Sequence, residues 1–190
     1  MRLFWGVFLS LLLAGNASGQ VNPFSALSKV LTTTLDVRTK AEVTADTEIS
    51  AGASKRLLDD KKAEWAGVTV MVFAQHVVIA GAVKTAEVKK RVEEIVRRDA
   101  RIRSLKSELL VGDVASLARD TALEAEINAN LTAATGVSSV NMRWCATGGN
   151  VVLMGVVQSQ QEANAAVQKI RVIKGVKTLK SHLRVVPAKK

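Results

Sequence analysis

Apolar residues along this chain follow two periods that alternate in a fixed order, and the order occurs twice. Ile49, Ala53 and Leu57 fall at four-residue steps, as on one face of a helix. Two apolar runs follow, Val68 to Phe73 and Val77 to Val83, turning around Ala74-Gln75-His76 in the pattern of a hairpin. Val88, Val92, Ile95 and Val96 return to helical spacing. Leu105, Ser107, Leu109 and Val111 then alternate with Lys106, Glu108 and Leu110, a strand with two distinct faces. Further along, Leu123, Ile127 and Leu131 repeat the first helical stripe. Val137 to Ala146 and Val151 to Val157 predict a second hairpin. Its turn is Thr147-Gly148-Gly149-Asn150, where glycine accepts the positive φ of a tight turn. Ala163, Ala166, Val167 and Ile170 mark another helix. A final strand puts Leu179, Ser181, Leu183 and Val185 inward and Lys180, His182 and Arg184 outward.

The two passages are copies. Ile102 to Val111 reads like Val176 to Val185, and at the same spacing of 74 residues Gly81 falls on Gly155 and Val83 on Val157. Each copy predicts helix, strand, strand, helix, strand. The fold class is therefore α+β: two tandem αββαβ domains, each with two helices on one face of a three-stranded sheet. The first spans 46–112 and the second 120–187, joined by a short stretch after Gly112-Asp113. Each is near the lower size limit for a self-sufficient core, so the copies are expected to lean on each other. Thr121 with Glu124, and Ser159 with Glu162, fit capping boxes at the helix starts of the second copy. The first helix region reads as longer in copy one, and the hairpin as longer in copy two.

Ahead of the copies, Arg2 precedes an apolar run from Leu3 to Ala14. Small residues at Ala17 and Gly19 suit cleavage before Gln20, so 1–19 reads as an export signal. Asn16 stands where a lipoprotein box would need cysteine, which predicts an unanchored, periplasmic protein. Residues 20–45, with Pro23 and Thr32-Thr33-Thr34, read as a linker or arm.

The chain is basic, with 27 Lys and Arg against 17 Asp and Glu. The excess is concentrated in Lys169, Arg171, Lys174, Lys177, Lys180, Arg184, Lys189 and Lys190, with no acidic residue among them. Such a block attracts phosphates, and export favours anionic lipid or acidic polymer over nucleic acid; the alternative is a solvated face that only keeps the protein soluble. The candidate lipid-binding residues are Lys169, Arg171, Lys174, Lys177, Lys180 and Arg184.

No reaction centre is predicted. His76 reads as a turn residue and His182 as an exposed strand residue; neither has the neighbours of a metal site. Cys145 reads as a small buried side chain. Gly148-Gly149 lacks the Lys-Ser/Thr of a phosphate loop. Asp59-Asp60 and Glu93-Glu94 read as exposed helix charges. No catalytic residue, metal or cofactor is expected. Gly81 and Gly155, inside apolar strands, read as structural, marking a bulge or a helix packed close to the backbone. Trp65 and Trp144, beside basic residues, read as partial core, with a lipid interface as the alternative.

These features resemble the BON domain. The resemblance rests on the Gly81 and Gly155 strands, the helix after each, and Gly175-Val176-Lys177-Thr178-Leu179 entering the last strand. Asp36, Arg38, Thr39 and Asp46 are similar to the arm preceding the first domain in dual-BON envelope proteins. Arg101 replaces the family's glycine before the last strand, so that turn needs another backbone geometry. The resemblance implies a non-enzymatic envelope protein that binds anionic phospholipid and supports outer-membrane integrity or osmotic stress tolerance. In the family's lipoprotein the first helix of the second domain approaches lipid. Here that helix carries Glu124 and Glu126, which moves the expected contact to the basic block. The alternative is an adaptor for envelope or secretion-system proteins, using an apolar patch or a sheet edge.

Overall fold

The computed structural model describes residues 36–61, 65–112 and 117–186. The export signal, Asn16 and Lys189-Lys190 lie outside these residues. The elements are α1 (Lys40–Asp59), β1 (Val68–Phe73), β2 (His76–Val83), α2 (Ala86–Arg97), β3 (Ser104–Val111), α3 (Leu117–Ala133), β4 (Met142–Thr147), β5 (Asn150–Val157), α4 (Gln160–Arg171) and β6 (Thr178–Val185). They form the two expected three-stranded sheets, ordered β1-β2-β3 and β4-β5-β6. Each central strand pairs antiparallel with its hairpin partner and parallel with the last strand.

The spacing of 74 holds from β1 to β6, so the hairpins are equal in length. The second is not longer, because β4 begins at Met142. The apolar residues before it belong to the α3–β4 connection and to a single 3-10 turn, Ser139–Asn141. The matching turn in copy one is Trp65–Gly67. Both hairpins turn on two residues of positive φ, Gly148 (59°) and Gly149 (84°) in copy two, Ala74 (50°) and Gln75 (63°) in copy one. That is the geometry of a two-residue hairpin loop, and Ala74 and Gln75 adopt it without the freedom of glycine.

The first helix of each copy explains how. Asp46 of α1 accepts from the backbone N–H of Ala74 and of Gln75, both at 2.7 Å. Asp120 of α3 accepts from Gly148 and Gly149, at 2.9 and 3.3 Å. Each carboxylate binds the two amide groups of a turn that the sheet itself leaves unpaired.

Helix starts differ from expectation. Lys40 to Ala45 belong to α1 rather than to an arm, and the capping box forms at Thr39 and Glu42. α3 begins at Leu117, so Thr121 lies inside the helix rather than at its cap. The Glu124 carboxylate reaches instead to the N–H of Ala146 on edge strand β4, at 2.8 Å. Ser159 does cap α4, but the buried Glu162 carboxylate accepts from Ser138 and Gln158. Asp60 is not an exposed helix charge; it follows α1 and is bonded by Arg91 at 2.6 Å, tying α1 to α2.

Three cores result. Ile49, Leu57, Ile79, Val92, Ile95 and Leu109 fill the space between the first sheet and its helices. Ile127, Leu131, Met142, Leu153, Ala166 and Ile170 do so in the second. The third core lies on the other faces of the sheets: Met71, Phe73, Val78 and Ala80 pack with Cys145, Val152, Met154 and Val156. The copies do lean on each other, sheet against sheet. A central strand buried on both faces reads as an unbroken apolar run, which is why β2 and β5 show no polar alternation.

Candidate functional site

The backbone that closes on Gly81 and Gly155 is the last residue of a 3-10 turn rather than an α-helix. A Cβ on Gly81 would lie 1.9 Å from the carbonyl oxygen of Gly67, and one on Gly155 would lie 2.1 Å from that of Asn141. Both neighbours are backbone that ends a 3-10 turn just before the partner strand, and both glycines have positive φ, 118° and 148°. No side chain fits either place. Arg101 turns without positive φ where copy two uses Gly175, at 103°. Its guanidinium is held by Asp99, at 2.9 Å, and by Glu48.

The six basic candidates do not form one surface. Lys169 and Arg171, in the last turn of α4, and Lys174 and Lys177, in the loop to β6, are exposed at the hairpin end of the second domain. The Lys177 N–H donates to the Gly149 carbonyl, which fixes the loop against that turn. Lys180 and Arg184 point away from the helices, into the seam between the sheets. Lys180 is 2.6 Å from Glu108 of the first domain. Arg184 is half-buried.

Among the described residues, the ion pairs of Glu108 with Lys180 and with His182 cross the seam. Glu108 accepts from Lys180 and pairs with His182 at 2.9 Å, so His182 is an inter-domain contact rather than a free strand residue. Burial pushes the Glu108 carboxyl up, but the hydrogen bonds and charges of Lys180 and His182 outweigh it and hold the group below the ordinary range. At the other end, Val37 donates to the side chain of Asn141, bringing the segment before α1 onto the second domain. Arg38 binds Asp36 at 2.6 Å and Asp46 at 2.8 Å, and lies 4.2 Å from the ring centre of Phe73. Arg143 approaches the same ring at 5.4 Å. Two guanidinium groups thus lie over the Phe73 ring, a cation–π arrangement.

Cys145 is buried in the third core, and burial pushes its thiol up, away from reactivity. Trp144 packs against the second core and donates from Nε1 to the Glu124 carbonyl at 3.3 Å. The Trp65 side chain lies outside the described residues. Among the described residues, no group of three or more His, Cys, Asp or Glu converges as metal ligands would, and no helix is long and apolar enough to cross a membrane.

The BON domain pattern matches residues 45–113 and 119–187. The chain belongs to the BON domain family. Its BON domains occur in tandem, and the chain is similar to osmotically-inducible protein Y of Escherichia coli (strain K12). That relative is 27% identical over 144 residues, 73% of this chain and 72% of that protein. An uncharacterized protein in the gshII 5′ region of Anaplasma centrale is 30% identical over 124 residues, 63% of this chain and 82% of that one. Among solved structures, the C-terminal domain of CdsD is also similar. CdsD is a structural protein of the type III secretion system of Chlamydia trachomatis. The TM-score is 0.32 at 16% identity, over 75% of this chain and 67% of that chain.

The seam itself was hidden from sequence reasoning. The polar residues of β3 and β6 were legible as one face, but nothing in either strand says that the faces meet.

Proposed function

We propose that this tandem BON protein is a non-enzymatic protein of the bacterial periplasm that binds anionic phospholipid surfaces and supports outer-membrane integrity under stress. Its BON domains and its similarity to an osmotically-inducible protein support the envelope setting. The observation that carries the lipid contact is the exposed group Lys169, Arg171, Lys174 and Lys177 at one end of the second BON domain. A lysine or arginine near a charged bilayer contributes about 1 kcal/mol, so four give weak, reversible binding that salt screens. Lys180 and Arg184 are left out of this surface because they line the seam.

Co-sedimentation with phosphatidylglycerol and with neutral vesicles, at low and high salt, tests the proposal. Binding to the anionic vesicles alone, lost with salt and in a Lys169→Glu, Lys174→Glu, Lys177→Glu variant, supports it. No sedimentation with either vesicle rules it out and turns the search to protein partners.

A further inference from the structure

Arg103 and Arg184 come from different BON domains, and neither forms an ion pair with the described acidic residues. Arg103 lies just before β3, and its N–H donates to the Gln75 carbonyl at 2.9 Å, against the first hairpin turn. Ser104 follows, paired in register with His76, and its hydroxyl is 2.6 Å from His76 Nδ1. Arg184 stands near the end of β6 and reaches this corner from the second domain, where its electrostatic neighbours are Arg103, Asp46 and Glu42. Lys180, earlier on β6, meets Glu108, later on β3. The two strands therefore run in opposite directions across the seam, and the C-terminal end of β6 lies over the N-terminal end of β3.

Positive charge is crowded here. Burial lowers the His76 pKa, and Arg184 and Arg103 lower it further. Burial also lowers that of Arg184, with Arg103 adding to it. The nearby acids are engaged elsewhere. Asp46 holds Arg38 and the amides of Ala74 and Gln75, and Glu42 closes the capping box with Thr39. Like charges brought together from two domains cost free energy unless an anion joins them.

We propose that Arg103, Arg184 and His76 form an anion site at the seam of the BON domains, for the oxyanion of a phosphate group. Two guanidinium forks match phosphate oxygens in geometry as well as charge. With Nδ1 engaged by Ser104, Nε2 is the donor that a protonated His76 offers. A bound phosphate would fasten one domain to the other. The site is distinct from the exposed basic end, since Lys177 and Arg184 stand at opposite ends of β6, roughly 20 Å apart. It does not depend on the membrane reading. The phosphate can belong to a lipid head group or to a free solute.

The chain has two histidines, so their proton resonances can be followed directly. The experiment titrates the full chain with inorganic phosphate, against chloride at equal ionic strength, and separately with phosphatidylglycerol vesicles. The groups acting on His76 are Arg103, Arg184, Asp46 and Ser104. Bound phosphate should raise the His76 midpoint by about one pH unit, saturably, while leaving His182 in place. Arg103→Gln or Arg184→Gln should weaken binding at least about tenfold, whereas Lys174→Gln should not. A response to phosphate assigns the site to free phosphate groups; a response to the vesicles alone assigns it to lipid. A His76 midpoint unmoved by both probes in the unaltered protein overturns the proposal, whether or not the variants fold. Vesicle binding that depends on Lys174 and Lys177, with His76 unmoved by phosphate as well as by the vesicles, would keep the lipid surface and remove this site.

Discussion

Glu108 and His182 hold the same place in the two copies, 74 residues apart, and they are bonded to each other at 2.9 Å. Equivalent residues meet only where two units are related by an approximate two-fold axis. The contacts of β1 with β4, and the matched pair β2 with β4 and β1 with β5, follow the same rule. The tandem copies thus pack as an isologous pair, and an acid against a base at the axis avoids the like-charge clash that identical residues would make. His182→Glu should create that clash and lower stability by about 1 kcal/mol, read as a drop in the denaturant midpoint. Adding Glu108→His should restore most of it. An unchanged midpoint in the single variant would show that the pair contributes nothing.

The same carboxylate gives a pH dependence. Its folded-state pKa is depressed, so its contribution is present above the ordinary glutamate value of 4.5 and is lost as pH falls through the folded value. Asp99, held at about 2 by the hydrogen bond from Arg101, acts with the same sign. Thermal melts of the unaltered protein and of Glu108→Gln should converge between about pH 5 and pH 3, having differed near neutrality. Parallel curves over that range would exclude Glu108 as a source of acid sensitivity.

The two turn clamps should not be equal. Asp46 is buried and holds a turn of non-glycine residues, so Asp46→Ala should cost about 3 kcal/mol. Asp120→Ala, serving a Gly-Gly turn, should cost about 1 kcal/mol. Adding Ala74→Gly and Gln75→Gly to the Asp46 variant should recover part of the loss. Equal costs in chemical denaturation would refute the link between clamp and turn strain.

Gly155→Ala places a single carbon against the Asn141 carbonyl, so it should destabilise by about 3 kcal/mol or more. Because the third core couples the copies, the loss should appear in both domains as one lowered transition in calorimetry. A melting temperature within a degree of the parent would contradict the close approach.

The packing is not fully symmetric. Thr147 stands in copy two where copy one has Phe73, and beside it a cleft of about 200 Å³ lies between the sheets, lined by Gly81, Leu110, Val151 and Val152. Thr147→Phe should fill the cleft and raise stability by about 1 kcal/mol. A destabilised variant would show that the cleft cannot take the ring.

The sequence by itself determined the elements, their order and their duplication. Ile49-Ala53-Leu57 and Leu123-Ile127-Leu131 are helical stripes because a helix returns to one face every three to four residues, and Gly81 and Gly155 are glycines because no Cβ fits there. These are local constraints, written within a few residues of where they act. What the polar faces of β3 and β6 do was decided only by tertiary structure. Lys180, His182 and Arg184 look like solvent-facing charges along one strand, and Glu108 like any exposed acid. Only when the outer faces of the two sheets close over Phe73, Val78, Cys145 and Met154 does Glu108 find its partners, and only then do Arg103 and Arg184 converge. Strand periodicity specifies which face a side chain occupies, but the partner of that face lies far away in sequence and is set by burial of the apolar residues around it.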